Sequence, residues 1–201
     1  MHGAAISKLP QSFAAQVGSR LASGEKLGPL IEHPTTPAVL RMLGFEPLPL
    51  CMSYSVLIKL HSGKGNTRSP LTQRQIGLIP ECLDEAAAIY QREDGASTIV
   101  LSTECDAAGK PIVICVRPSV RSGVRFVNMI MTAFGKDNAD SWAAQQVSNL
   151  LYIGEKANPR LTLPTPIYHP AGALETEGSK RIIRGPDDLR KFKLNLLTSV
   201  G

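Results

Sequence analysis

The chain has 201 residues, 43% hydrophobic and only 5% aromatic, enough to bury one substantial core and too few for two comfortable domains. With so few rings the core falls to Leu, Ile, Val, Ala and Met, and a stacking platform for single-stranded nucleic acid is disfavoured. The net charge of +5 suits an acidic partner, while the absence of a long apolar run or a secretory signal pattern leads to the expectation of a cytoplasmic protein without membrane insertion.

Phe13, Val17 and Leu21 recur at helical spacing between Pro10 and Gly24 and predict a short amphipathic helix inside an N-terminal extension, 1–34. Thr36 as N-cap, Pro37 in the first turn and Gly44 as a stop predict a second short helix over 37–43. Met52, Tyr54, Val56, Ile58 and Leu60 alternate with Ser53, Ser55 and Lys59, which predicts a half-buried strand over 51–60. A polar, Gly-containing loop follows over 61–70. Thr72 and Gln75 then have the spacing of a capping box, for a helix that begins at 71–73 and stops at Pro80.

A strand is expected over 86–90. The β-rich runs 98–103 and 111–117, joined by a polar turn containing Asp106 and Gly109, predict an antiparallel hairpin at the centre of the sheet. The apolar run 124–131 comes next and a turn over 135–138 follows. Trp142, Val147 and Leu150 fit a helix that opens at Asp140, and 151–153 fit a last short strand. A single α+β domain over 35–157 is the expectation.

Beyond Pro159 the composition shifts to Pro164, Pro166, Pro170, Gly172 and Gly178, which excludes long helices and central strands and predicts a tail over 158–201. Leu189, Phe192 and Leu196 fit a final amphipathic turn. Lys180, Arg181, Arg184, Arg190, Lys191 and Lys193 face only Asp187 and Asp188 in this segment and are the candidate partner-binding residues. The rival readings are a solvated tail and a tail that wraps its own domain and covers a sheet edge.

Recognised chemistry is sparse. Cys51, Cys82, Cys105 and Cys115 form no C-x-x-C pair and read as reduced core thiols; no metal-ligand spacing, nucleophile elbow or P-loop occurs, so no cofactor or metal is expected. The adjacent carboxylates Asp84-Glu85 and Asp187-Asp188 are assigned to solvent. His33 and His169 each precede a proline and read as local structural residues, and His2 as a terminal one.

Thr36-Pro37, Leu43-Gly44, the 51–60 segment, Leu71-Thr72 with Ile79-Pro80, the 98–117 hairpin, Asn128-Met129-Ile130, Phe134-Gly135-Lys136, and Leu151-Tyr152-Ile153 with Lys156 form an ordered set. Together they resemble the MuF C-terminal-type domains of phage and mobile-element proteins, over about residues 35–157. The resemblance implies an α+β fold with a small antiparallel β-sheet packed with helices, of the barnase/RelE-like nuclease type, and metal-independent RNA cleavage. It also implies a histidine before the second helix and a Ser-x-Tyr after the late strand. Here Arg68-Ser69-Pro70 and Thr132-Ala133-Phe134 stand at those places.

RNA cleavage needs a base near neutrality, an acid for the leaving oxygen and cations for the phosphorane. His61 is the best remaining base; Lys64, Arg68, Arg117 and Lys136 are the available cations, and arginine cannot serve as a base at neutral pH. An active enzyme would therefore draw on His61, Lys64, Arg68 and Thr132. Three functions compete: a standalone interaction protein on a degenerate nuclease scaffold, a ribonuclease toxin, and a nucleic-acid binder that relies on charge, with RNA as one partner. For the first, the family context points to a plasmid fertility inhibition factor that blocks conjugation by binding a type IV secretion or coupling ATPase.

Overall fold

The structure, a computed structural model, describes residues 11–63, 69–92, 95–146, 149–154 and 183–184. In chain order the elements are α1 (Phe13–Ser23), β1 (Ile31–His33), α2 (Ala38–Met42), β2 (Leu50–Met52), α3 (Tyr54–Ser62), α4 (Gln73–Gly77) and α5 (Ile79–Asp84). There follow β3 (Ala86–Gln91), β4 (Thr98–Cys105), β5 (Pro111–Ser122), β6 (Arg125–Gly135), α6 (Ala139–Gln145), β7 (Leu150–Ile153) and β8 (Ile183–Arg184). The strands form one sheet in the order β1-β2-β6-β5-β4-β3-β7-β8. The run from β6 to β7 is antiparallel throughout, whereas β2 joins β6 and β8 joins β7 in parallel. The fold is α+β with a mixed sheet, and the β4–β5 hairpin stands at its centre as expected.

Alternation along the strands sends side chains to two different environments. Ile89, Val100, Ile112, Ile114, Val116, Ile130 and Ala133 point to one face, where they meet Phe13 and Val17 of α1, Leu40 of α2, Leu57 and Leu60 of α3, and residues of α4 and α5. Ala88, Tyr90, Leu101 and Val113 point to the other, which is covered by Ala139 and Ala143 of α6 and by Leu150. Fully burying one Leu or Ile side chain stabilises by about 1.5–3 kcal/mol, so the helix-covered face carries the larger share of the stability.

Several helix ends follow from local chemistry. Ser12 caps α1 by accepting from Ala15 N–H, and Gly24 ends it at φ 62°. Thr72 and Gln75 form the reciprocal capping box of α4. Pro80 does not stop that helix: α4 ends at Gly77, and Pro80 sits in the first turn of α5, where a missing N–H costs nothing.

The expected strand over 51–60 is corrected. Only Leu50–Met52 is extended; Ser53 accepts from Val56 N–H as an N-cap and the chain turns into α3, which buries Leu57 and Leu60 three residues apart. Nor does Thr36 cap α2. Its hydroxyl is turned to Glu46 O and Leu48 O, and the α2 N-terminus is satisfied by Asp84, whose Oδ1 accepts from Ala38 N–H at 2.6 Å. Asp84, assigned to solvent, is therefore exposed yet engaged. Leu150 belongs to β7 rather than to the helix that opens near Asp140, and Val147 lies outside the described residues.

The N-terminal segment packs into the main core. Phe13 and Val17 are buried in the main cluster, and β1 pairs with β2. Gln16 donates to Glu32 O and accepts from Glu32 N–H, at 2.8 and 2.9 Å, so its amide takes the place of a neighbouring strand along the β1 edge. At the opposite edge β8, from the tail, pairs with Tyr152 and Ile153 of β7.

Candidate functional site

On the second face, beside α6, the sheet leaves a hollow of about 240 Å³. Thr132, Phe134 and Lys136 line it from β6 and its end, Val113 and Cys115 from β5, Ile99 from β4, Arg92 from the end of β3 and Trp142 from α6. The register explains the grouping, because Phe134 stands opposite Val113 and Thr132 opposite Cys115. Trp142 forms one wall. Its ring meets Tyr90 edge-on, with centroids 5.2 Å apart and planes at 67°, and the Lys136 ammonium lies 5.7 Å from its centroid. Tyr90 is fully buried beneath it, and burial pushes its phenol up to about 12.

The hollow offers two cations, one hydroxyl, one thiol and aromatic walls, with neither an imidazole nor a carboxylate among its lining residues. That set can hold an anionic or planar group. Acid–base catalysis would need a group that titrates near neutrality within reach of the reacting atoms.

His61 stands away from the hollow. It is exposed in the last turn of α3, just before Gly63 closes that helix at φ 63°. Leu57 and Leu60 anchor α3 in the cluster on the first face, while Thr132 lines the hollow on the second. The sheet therefore lies between the two expected catalytic residues. Lys64 and Arg68 lie outside the described residues, as do Lys180, Arg181, Arg190, Lys191 and Lys193; of the tail's candidate residues Arg184 alone is placed, as a backbone partner of Ile153 in β8. Arg117 is exposed on β5, away from the hollow's lining. His33 ends β1, with Nδ1 2.7 Å from Thr35 O.

A larger open concavity of about 770 Å³ lies between α1, the 24–30 loop and β1. Arg20 and Gln16 in its lining are already used for structure. The Arg20 guanidinium donates to Pro29 O at 3.0 Å and to Glu25 O at 3.4 Å, and Gln16 holds the β1 edge.

Two further polar clusters were not visible in the sequence. Asn128, fully buried on β6, donates to Thr36 Oγ1 at 2.6 Å and to Glu46 O at 3.0 Å, and accepts from Ser119 N–H at 2.9 Å. It ties β6 to the 36–48 connection and holds Ser119 at φ 49° in a β-bulge. At the central hairpin, Asp106 Oδ1 accepts from Ala108 and Lys110 N–H, and its other oxygen packs where a Cβ on Gly135 would stand. Beside it Lys110 Nζ lies 2.7 Å from Asp137 and holds that carboxyl below its usual range.

The four cysteines are free thiols; Cys51, Cys82 and Cys115 are buried and Cys105 is half-buried. Burial, with the Glu32 carboxylate adding to it, pushes the Cys51 thiol up to about 11, which makes it an inert core group rather than a nucleophile. No helix among the described residues is long and apolar enough to cross a membrane.

Residues 60–159 match the family model of the phage MuF-C-terminal domain. No curated protein and no solved structure matches the chain. The match begins in the last turn of α3, so α1, β1, α2 and β2 are laid against the matched region from outside it. Over residues 60–159 the chain is thus similar to the phage MuF-C-terminal domain, a likeness that associates the protein with phages and mobile elements.

Proposed function

We propose that this is a non-enzymatic interaction protein encoded on a mobile element, built on a nuclease-like scaffold. The observation that carries the reading is the placement of His61 and Thr132 on opposite sides of the sheet, with no imidazole or carboxylate lining the hollow that holds Thr132. Moving one of them to the other would require α3 to leave a core in which Leu57 and Leu60 are buried. The family match supports the mobile-element setting.

Within that reading the protein acts as a fertility inhibition factor, which lowers conjugation of a co-resident plasmid by binding its secretion or coupling ATPase. A mating assay tests this. Expression in a donor is expected to reduce plasmid transfer while growth and cellular RNA stay normal, and deletion of residues 180–201, with its six basic candidates, is expected to restore transfer. Unchanged transfer would reject the fertility inhibition role. Growth arrest with RNA loss, relieved by His61→Ala, would instead establish a ribonuclease toxin.

A further inference from the structure

We propose that the outer end of the β5–β6 hairpin, from Arg117 to Phe126, is an arm that enters the major groove of double-stranded DNA. The hairpin outruns its neighbours. β4 last pairs with β5 at Val116, and β2 meets β6 only at Asn128 and Met129. Beyond these points the chain is a two-stranded ribbon with the pairs Val120–Val127, Arg121–Phe126 and Ser122–Arg125, closed by Gly123 at φ 62°. The bulge at Ser119, held by Asn128, bends the ribbon where it leaves the sheet.

The charge pattern of this segment is one-sided. From Ala107 to Gly135 the sequence contains no Asp or Glu, and its charged residues are Lys110, Arg117, Arg121 and Arg125. Arg117 and Arg121 are exposed and pair with no carboxylate among the described residues; Arg125 is bound to Glu32 of β1. At the tip, Val124 is fully exposed and Phe126 is 54% exposed. These apolar side chains stand uncovered between arginines.

The shape decides which acidic partner fits. Successive cross-strand pairs point to opposite faces of a ribbon, so the Arg117–Met129 and Arg121–Phe126 pairs, set apart by the bulge at Ser119, present an arginine on each side. A flat acidic protein surface would meet one side only, whereas a groove encloses both. B-form DNA has a major groove about 12 Å wide, which admits a two-stranded β-ribbon, and arginine forks match the phosphates along its walls. The A-form major groove of RNA is too narrow for such an arm. Phe126 and Val124 are then placed to reach base edges, where thymine methyl groups offer apolar contacts.

Fluorescence anisotropy of a labelled short DNA duplex with the full chain tests the arm. Wild type is expected to bind at low salt. The double variant Arg117→Ala/Arg121→Ala should lose about tenfold in affinity and flatten the dependence of log K on log salt by about 2, with an unchanged melting temperature. Phe126→Ser should weaken binding without changing that slope. Absence of binding by wild type, unchanged affinity in the double variant, or tighter binding to polyglutamate or to double-stranded RNA would overturn the proposal.

Discussion

The two faces of the sheet are built from the same strands but differ in what covers them. The first meets five helices and buries Leu40, Leu57, Ile76, Ile79 and Leu83 to 1% exposure or less. The second meets the short helix α6 and keeps Ile99, Phe134 and Trp142 only partly buried around a polar hollow. A face that is closed with aliphatic side chains has little room for chemistry or ligands. A face that is closed incompletely, with Arg92, Lys136 and Thr132 at its opening, costs stability and leaves a surface for binding. The division assigns most of the folding energy to one side and leaves the other partly open.

The sharpest way to break this contrast is to cut into the closed face. Leu57→Ala should lower unfolding free energy by about 2–5 kcal/mol in denaturant titration, through lost burial and the cavity left behind. Next in size is Asn128→Ala, which strands Ser119 N–H and removes the donor to Thr36 and Glu46 O; a loss of about 2–3 kcal/mol is expected by the same titration. On the open face, Thr132→Ala and Lys136→Ala should each change stability by less than about 0.5 kcal/mol. A loss there comparable to that of Leu57→Ala would show that the two faces are not divided as described.

Tyr90 offers a pH-dependent test between these extremes. The native phenol titrates near 12, while in the unfolded chain it ionises near 10. Because the folded value is the higher, its contribution is intact below pH about 10 and is lost as pH rises towards 12. The buried Cys51 thiol acts in the same direction, over a window that opens about one pH unit lower. Among the described residues the Tyr90 hydroxyl has no hydrogen-bond partner. Tyr90→Phe should therefore be at least as stable as wild type at neutral pH and should show a shallower alkaline fall in denaturation midpoint.

How much of this was legible in the chain depended on how far apart the interacting groups lie. The Thr72–Gln75 capping box, the Gly24 stop and the β4–β5 hairpin are set by residues a few positions apart, and all were readable. The 51–60 segment was misread because Tyr54, Val56, Ile58 and Leu60 alternate while Leu57 and Leu60 also have helical spacing; Ser53, a strong N-cap, was the overlooked signal. The caps and ties that cross the fold were out of reach. Asp84 lies 46 residues from Ala38 and Asn128 lies 92 from Thr36, and nothing in either neighbourhood names the other. The hollow was half legible: Thr132 and Lys136 were singled out, but Arg92 and Trp142 reach it through β3 and α6.

The central claim of the proposed function is that the scaffold recognises rather than cleaves, a reading supported by the placement of His61 in α3 and of Thr132 in the hollow on the other face. Incubating the purified full chain with excess RNA, with His61→Ala run beside it, measures this most directly. The account predicts intact RNA in both samples at catalytic protein concentrations. Multiple-turnover cleavage by the wild-type chain, abolished in His61→Ala, would contradict it.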